Sequence, residues 1–128
     1  MSDENVNVGK VAWRDLTVRD AVEIRDFYKG VVGWESSAVE MDDYSDFNMI
    51  SPSDGEAAAG ICHARGTNAG LPPQWLIYII VADADASAEK CTQLGGEIVS
   101  PPRAMGGGRF CVIRDPAGAV CALYQPPA

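Results

Sequence analysis

Apolar residues recur along the chain at two spacings, one typical of helices and the other typical of strands. The helical spacing first follows Asp20, where one apolar face is formed by Ala21, Ile24, Phe27, Tyr28 and Val31. Asp20 with Glu23 three residues later resembles a capping box, so we expect the helix to begin there. Gly30 and Gly33 are expected to end it.

The strand pattern surrounds this helix in the first half of the chain. Strands are predicted at Lys10–Thr17, Trp34–Met41, Tyr44–Ser51 and Ala57–Ala64. The residues from Ser51 to Gly55, rich in Ser, Pro, Asp and Gly, predict a turn between the last two of these strands.

The second half repeats the same order. Gln74–Val81 is apolar at nearly every position, which predicts a strand covered on both faces. Either Asp83 or Asp85 is expected to cap the next helix, which Gly95 ends. Three further strands are predicted, the first of them ended by two prolines and followed by a glycine-rich hairpin loop: Glu97–Ser100, Arg109–Arg114 and Ala119–Gln125.

The two halves are related by a constant offset of 62 positions. Trp13 maps onto Trp75, Gly33 onto Gly95, and Gly60 onto Ala122. An offset held along a whole segment indicates an internal duplication. We therefore predict an α+β fold in which two βαβββ modules form a curved mixed sheet around a cleft, with the helices outside. Residues 1–128 are expected to form one domain: module one over about 9–65, a linker over 66–73, and module two over about 74–126.

Charge and composition narrow the classes of partner. The 128 residues include 18 acidic and 10 basic side chains, for a net charge of −8. Such a chain is poorly suited to nucleic acid or to anionic membranes, because both require positive charge. The charge suits a cationic small ligand, although it also simply favours solubility.

Compartment is predicted from the cysteines and the N-terminus. None of the four cysteines forms a CxxC pair, and each lies within an apolar pattern, which favours buried, reduced thiols. Met1–Asn5 is acidic and no apolar targeting segment follows it. We therefore expect a cytoplasmic protein.

Several short motifs, taken in order, resemble the vicinal oxygen chelate superfamily of glyoxalases, bleomycin resistance proteins and extradiol dioxygenases. In the first half they are Leu16–Asp20, Phe27-Tyr28 and Gly33-Trp34. In the second half they are Asp83–Asp85, Leu94–Gly96, Pro101-Pro102, Gly108–Phe110 and Asp115–Gly118. The resemblance covers about residues 9–126 and is carried by the order and spacing of the motifs. It is strongest to the glyoxalase-like branch whose first strand carries Trp-x-Asp-Leu.

The resemblance also indicates where a metal would be held. Metal enzymes of this family place a His or Gln on the first strand of each half and a Glu on the last strand. Carried over, the first-strand positions are Trp13 and either Trp75 or Leu76, and the last-strand positions fall at or beside Gly60 and at Ala122. None of these side chains offers a divalent-metal ligand, so no metal and no cofactor are expected.

The tryptophans and one acid are the leading candidates for ligand binding. Trp13 and Trp75 are expected to occupy matching places, where an indole can stack on an aromatic ring or a cation. Alternatively, they fill the space that metal and ligands take in relatives. Asp15 shares a strand face with Trp13 and can act as a base or anchor a cation, or else form a structural contact.

Weaker candidates lie on other strands. Tyr44 and Asn48 alternate with Asp46 on one strand and project to one face, which is either cleft or solvent. Arg109 can contact an anionic ligand, although a surface position is the simpler expectation. His63 is the only histidine, and alternation turns it away from Gly60 and Cys62, so we interpret it as structural rather than as a ligand or base.

Two functions follow from the resemblance. The first is a metal-free protein that binds a small aromatic or cationic molecule in a tryptophan-lined cleft, as bleomycin resistance proteins do. The second is a metal-dependent lyase, isomerase or dioxygenase, which fold analogy alone supports. The resemblance is also compatible with a homodimer whose chains complete each other's clefts.

Overall fold

The computed structural model describes residues 7–128, and within that range it has two α-helices, one short 3₁₀ helix (Gly66–Asn68) and eight strands. The α-helices are α1 (Ala21–Val32) and α2 (Ala84–Gln93). The strands are β1 (Val11–Val18), β2 (Glu35–Glu40), β3 (Ser45–Ile50), β4 (Ala57–His63), β5 (Trp75–Ile80), β6 (Glu97–Met105), β7 (Gly108–Arg114) and β8 (Val120–Gln125). Met1–Asn5, where no targeting segment is expected, lies outside the described residues. No helix has the length and apolar character needed to cross a bilayer, within residues 7–128.

The described chain forms two compact units. One comprises Trp13–Trp75, and the other comprises Leu76–Ala128 with the described residues before Trp13. In the first unit the strand order is β2-β3-β4-β1, and β1 runs parallel to β4. In the second the order is β5-β8-β7-β6, and β5 runs parallel to β8. The predicted α+β class and the two βαβββ modules are therefore confirmed.

The core of the Trp13–Trp75 unit lies between α1 and one face of its sheet. Leu16, Met49 and Ile61 come from three different strands and are almost fully buried beside Ala21 of α1. Successive strand residues point to opposite faces, so Asp15, Asn48 and Gly60 point away from α1. This alternation produces an apolar face under the helix and a polar face on the other side.

The core of the second unit is also built between its helix and one sheet face. Ala88 of α2 packs with Cys111 and Leu123, and the partly buried Ile79 and Val81 join them. Alternation then turns Leu76 and its even-numbered neighbours on β5 away from α2. The four cysteines form no disulfide within residues 7–128, but only Cys111 is buried as expected, and Cys62, Cys91 and Cys121 are partly exposed.

The first strands of the two halves differ in register by one residue. Asp15 of β1 is opposite Gly60 of β4, whereas Tyr78 of β5 is opposite Ala122 of β8. The constant offset would have placed residue 77 opposite Ala122. Because strand side chains alternate, this slip puts Leu76, not Trp75, at the place equivalent to Trp13. The expectation that Trp13 and Trp75 match was therefore wrong.

One predicted helix boundary is confirmed, and two others differ from the prediction. Asp83, rather than Asp85, caps α2 by accepting a hydrogen bond from the backbone N–H of Ala86 at 3.0 Å. Asp20 precedes α1 but makes no such bond, because its backbone (φ −103°, ψ 58°) lies outside the extended region that aims a capping side chain. The predicted capping box is absent. The helix also continues through Gly30 and ends at Gly33, which is left-handed (φ 87°).

The strands of the second half depart from expectation at two places. β6 continues through Pro101 and Pro102 to Met105, and its pairing with β7 shifts register on both sides of Ser100. As an edge strand it tolerates prolines that a central strand would not. Ile77 of β5 is 42% exposed, because α2 packs over Ile79 and Val81 instead, so β5 is not covered on both faces.

Candidate functional site

A row of polar side chains crosses three strands on the face of the first unit that points away from α1. Asp15 of β1 and Asn48 of β3 are both paired with Gly60 of the central strand β4. The pairing places these three residues side by side across the sheet. Trp13, two residues before Asp15, shares their face. The face shared by Trp13 and Asp15 therefore also carries Asn48, whose face the sequence left open between cleft and solvent.

The Asp15 carboxylate lies directly over the backbone of Gly60. A Cβ built on Gly60 would overlap the Oδ1 atom of Asp15, and it would lie 3.4 Å from the Nε1 atom of Trp13. Trp13 donates its indole N–H to Oδ1 of Asp15 at 2.8 Å. Glycine at position 60 therefore leaves room for a carboxylate held by an indole, and Asp15 is only 9% exposed there.

Cys62 extends this site by one step along β4. Its thiol donates to Oδ2 of Asp15 across 3.8 Å, so Asp15 bridges Trp13 and Cys62. Burial, followed by the negative charges of Asp15 and Asp46, raises the pKa of the Cys62 thiol far above its ordinary value. Cys62 therefore stays protonated at neutral pH and acts as a weak hydrogen-bond donor rather than as a nucleophile.

A second buried acid, Asp46, pairs with His63. Oδ1 of Asp46 accepts the backbone N–H of His63 at 2.9 Å and lies 3.2 Å from Nδ1 of its ring. Asp46 and its ring partner are both largely buried. The pairing agrees with a structural role for His63, since one carboxylate oxygen fixes both its backbone and its imidazole.

Three other predicted site residues lie elsewhere in the chain. Tyr44 precedes β3, packs edge-on against His63, and lies under the guanidinium of Arg65. Trp75 points to the helix side, where its N–H donates to the Tyr28 hydroxyl at 3.2 Å. Trp75 therefore does not share the sheet face of Trp13.

Arg109, in the other unit, is engaged in an ion pair. Its guanidinium donates two hydrogen bonds to Asp85, from Nε at 2.7 Å and from Nη2 at 3.0 Å. The hydrogen bond and the charge of Asp85 raise the pKa of Arg109. An anionic ligand would have to compete with this carboxylate, so the structure favours the surface interpretation of Arg109.

The strand register narrows the metal positions that the resemblance implies. In the first unit they are Trp13 and a position at or beside Gly60, and in the second they are Leu76 and Ala122. An indole, a hydrogen atom, an isobutyl group and a methyl group offer no oxygen or imidazole nitrogen to a divalent ion. Within residues 7–128, no three His, Cys, Asp or Glu side chains are arranged to hold a metal. The residues present do not fit the family's metal centre.

The sequence as a whole matches a known family over most of its length. The model of the glyoxalase/bleomycin resistance protein/dioxygenase superfamily matches residues 9–123. The chain belongs to this superfamily. The resemblance found in its motifs is thereby confirmed.

The curated relatives that the chain matches are about twice its length. "Anthracycline biosynthesis protein DnrV" of Streptomyces peucetius is 31% identical over 91% of this chain and 47% of its own length. "Putative glyoxylase CFP32" of Mycobacterium tuberculosis is 31% identical over 92% of this chain and 44% of its own length. The chain therefore spans about half the length of the curated relatives it matches.

Solved structures of two methylmalonyl-CoA epimerases show the same fold. A methylmalonyl-CoA epimerase from Streptomyces coelicolor gives a TM-score of 0.54 at 16% identity, covering 94% of this chain and 99% of that one. The methylmalonyl-CoA epimerase from Mycobacterium tuberculosis gives a TM-score of 0.54 at 18% identity, covering 90% of this chain and 86% of that one. At this identity the similarity concerns the fold alone.

Proposed function

We propose that the chain binds a small molecule, without a metal ion, on the sheet face that carries Trp13, Asp15 and Asn48. The observation that supports this most directly is the Asp15 carboxylate lying over Gly60. The family's metal enzymes have a Glu at or beside this position, and here its space is taken by a carboxylate from the neighbouring strand. The carboxylate accepts the indole N–H of Trp13.

The chemistry of this face favours a planar ligand that carries a positive charge or a hydrogen-bond donor. Asp15 brings a carboxylate, already in contact with the indole of Trp13 and the thiol of Cys62, to this face, and its negative charge would attract a cationic ligand. The indole of Trp13 supplies a flat apolar surface for stacking. The names of two Streptomyces relatives refer to anthracycline biosynthesis, which supports a polycyclic aromatic ligand.

Metal content is the first test of this proposal. The purified protein is incubated with zinc, nickel, iron and manganese, desalted, and analysed by plasma mass spectrometry. We expect none of these metals to be retained at a ratio near one per chain. Stoichiometric retention would instead favour a metal-dependent lyase, isomerase or dioxygenase, with ligands outside the family's usual positions.

Ligand binding is then measured by calorimetry with two probes, a hydroxyanthraquinone and the same ring system carrying a protonated aminomethyl group. Asp15→Asn should weaken binding of the charged probe by about tenfold or more and of the neutral probe much less, because a charged hydrogen bond contributes about 1.5–3 kcal/mol. Trp13→Ala should weaken the binding of both probes, and the loss of binding free energy should exceed the loss of folding free energy. Asp85→Asn, which removes the same charge from an ion pair in the other unit, is the matched control. Equal affinities for the wild type and Asp15→Asn would refute the proposed site.

A further inference from the structure

The helix side of the Trp13–Trp75 unit contains a groove that is separate from the polar site. It has a volume of about 330 Å³ and runs between α1, the end of β1 and the segment before β5. We call it the α1 groove. Its lining consists of Leu16, Val18, Ile24, Phe27, Tyr28, Pro73, Gln74 and Trp75.

Aromatic rings form much of the α1 groove and stand nearly perpendicular to one another. Tyr28 meets Trp75 at 78° with ring centroids 5.3 Å apart, and it meets Phe27 at 89° and 5.1 Å. Trp75 is held in place by its hydrogen bond to the Tyr28 hydroxyl. Two rings fixed at right angles present both a face and an edge to a third ring, which are the arrangements that aromatic pairs prefer.

Polarity in the α1 groove is confined to few atoms. All eight lining residues are uncharged, although the whole chain carries a net charge of −8. The hydroxyl of Tyr28 accepts from Trp75 and retains its own O–H as a donor. A neutral molecule with one hydrogen-bond acceptor matches this lining, whereas a charged molecule would lose hydration without gaining an ionic partner.

The size of the groove favours a small molecule over a protein partner. Its volume lies at the lower end of the range for small-molecule sites, about 300–1,000 Å³. A stable protein interface uses roughly 20–30 residues on each side, and the groove has only eight. Phe27 at its rim is 56% exposed, so a ligand there would bury apolar surface that the chain itself leaves in water.

From these observations we propose that the α1 groove is a second ligand site, which takes a neutral one- or two-ring aromatic molecule bearing a hydrogen-bond acceptor. Trp75 and Phe27 contact the ring, and the Tyr28 hydroxyl donates to the acceptor. The site is independent of Asp15, whose side chain projects from the opposite face of the sheet.

The test uses coumarin, a neutral two-ring lactone, as the probe. Indole N–H signals of the whole protein are followed by ¹⁵N-labelled NMR and assigned with single Trp→Phe variants. Coumarin should shift the signal of Trp75 saturably and leave that of Trp13 unchanged. Because these two indoles lie on opposite faces, failure here is distinguishable from failure of the polar site.

Three variants define the outcome. Phe27→Ala should weaken coumarin about tenfold or more through lost apolar contact. Tyr28→Phe, which keeps the ring, should weaken it about three- to tenfold. Val31→Ala, at an exposed α1 position outside the groove, should leave affinity unchanged. No saturable shift of Trp75 would overturn the proposal, and so would a Trp75 signal that moves only with protein concentration, which indicates self-association.

Discussion

Replacing Gly60 with alanine tests the geometry of the polar site most directly. The new Cβ would overlap Oδ1 of Asp15 and lie 3.2 Å from its carboxyl carbon. The backbone of Gly60 cannot yield easily, because β4 is paired on both sides, by β3 and β1. Asp15 must therefore rotate away, which breaks its hydrogen bond with Trp13.

The cost can be estimated from two overlapping contributions. Overpacking a buried site costs about 1–3 kcal/mol. Losing a hydrogen bond to a charged group costs about 1.5–3 kcal/mol. Rotation of Asp15 relieves the overpacking but breaks the hydrogen bond, so the two costs do not simply add. We therefore expect Gly60→Ala to lower the free energy of unfolding by about 2–4 kcal/mol. That is a large part of the roughly 5–15 kcal/mol typical of a domain.

The assay is urea denaturation followed by tryptophan fluorescence and circular dichroism. Gly30→Ala is the matched control: a Cβ at this helical glycine meets no atom within 4 Å, so alanine should stabilise by about 0.5–1 kcal/mol. In an Asp15→Ala background, Gly60→Ala should cost about 1 kcal/mol or less, because its main obstacle is gone. A cost below about 1 kcal/mol in the wild type, or an equal cost in both backgrounds, would contradict the close approach described here.

Three further predictions concern helix capping, the pH dependence of stability and the reactivity of Cys62. Asp83→Ala should lower the free energy of unfolding by about 1 kcal/mol, because it removes the cap of α2. Asp20→Ala should lower it clearly less, because Asp20 forms no cap. Chemical denaturation compares the two variants, and equal losses would contradict this assignment. Burial raises the pKa of Cys62, and raises that of Cys111 to about 11, so the folded state holds protons that the unfolded thiols release from about pH 8.5. The free energy of unfolding should therefore fall as the pH rises above about 8.5, and it should fall less steeply in the Cys62→Ala variant. Alkylation of Cys62 by iodoacetamide should be slow at pH 8 and faster in Asp15→Asn; an unchanged rate would exclude Asp15 as a cause of the shift.

The architecture was predictable because its signals are local or periodic. The helical spacing after Asp20, the turn from Ser51 to Gly55, and the offset of 62 residues each depend on the sequence alone. The face shared by Trp13 and Asp15 was predictable for the same reason, since alternation along one strand needs no tertiary information.

What was missed depends on contacts between strands that are distant in sequence. Whether Asp15 meets Gly60 is set by the register of β1 on β4, and neither strand encodes that register by itself. The pairing of Asp46 with His63 likewise joins two strands. The sequence placed Asp46 on a strand face that could be either cleft or solvent, so it gave no signal for this pairing. The expected match between Trp13 and Trp75 was wrong because a constant offset assumes that the strands of both halves pair in the same register.

The register slip between the halves has a consequence for how such genes diverge. After a tandem duplication, a one-residue slip in a single strand exchanges its inward and outward positions while the sequence similarity between the copies persists. Recombination that copied β1 onto β5 at the offset of 62 would then place the arginine of position 14 at the fully buried position of Leu76. The two halves can no longer exchange residues without damage, so each is free to acquire its own chemistry, and site residues cannot be transferred between repeats by counting positions.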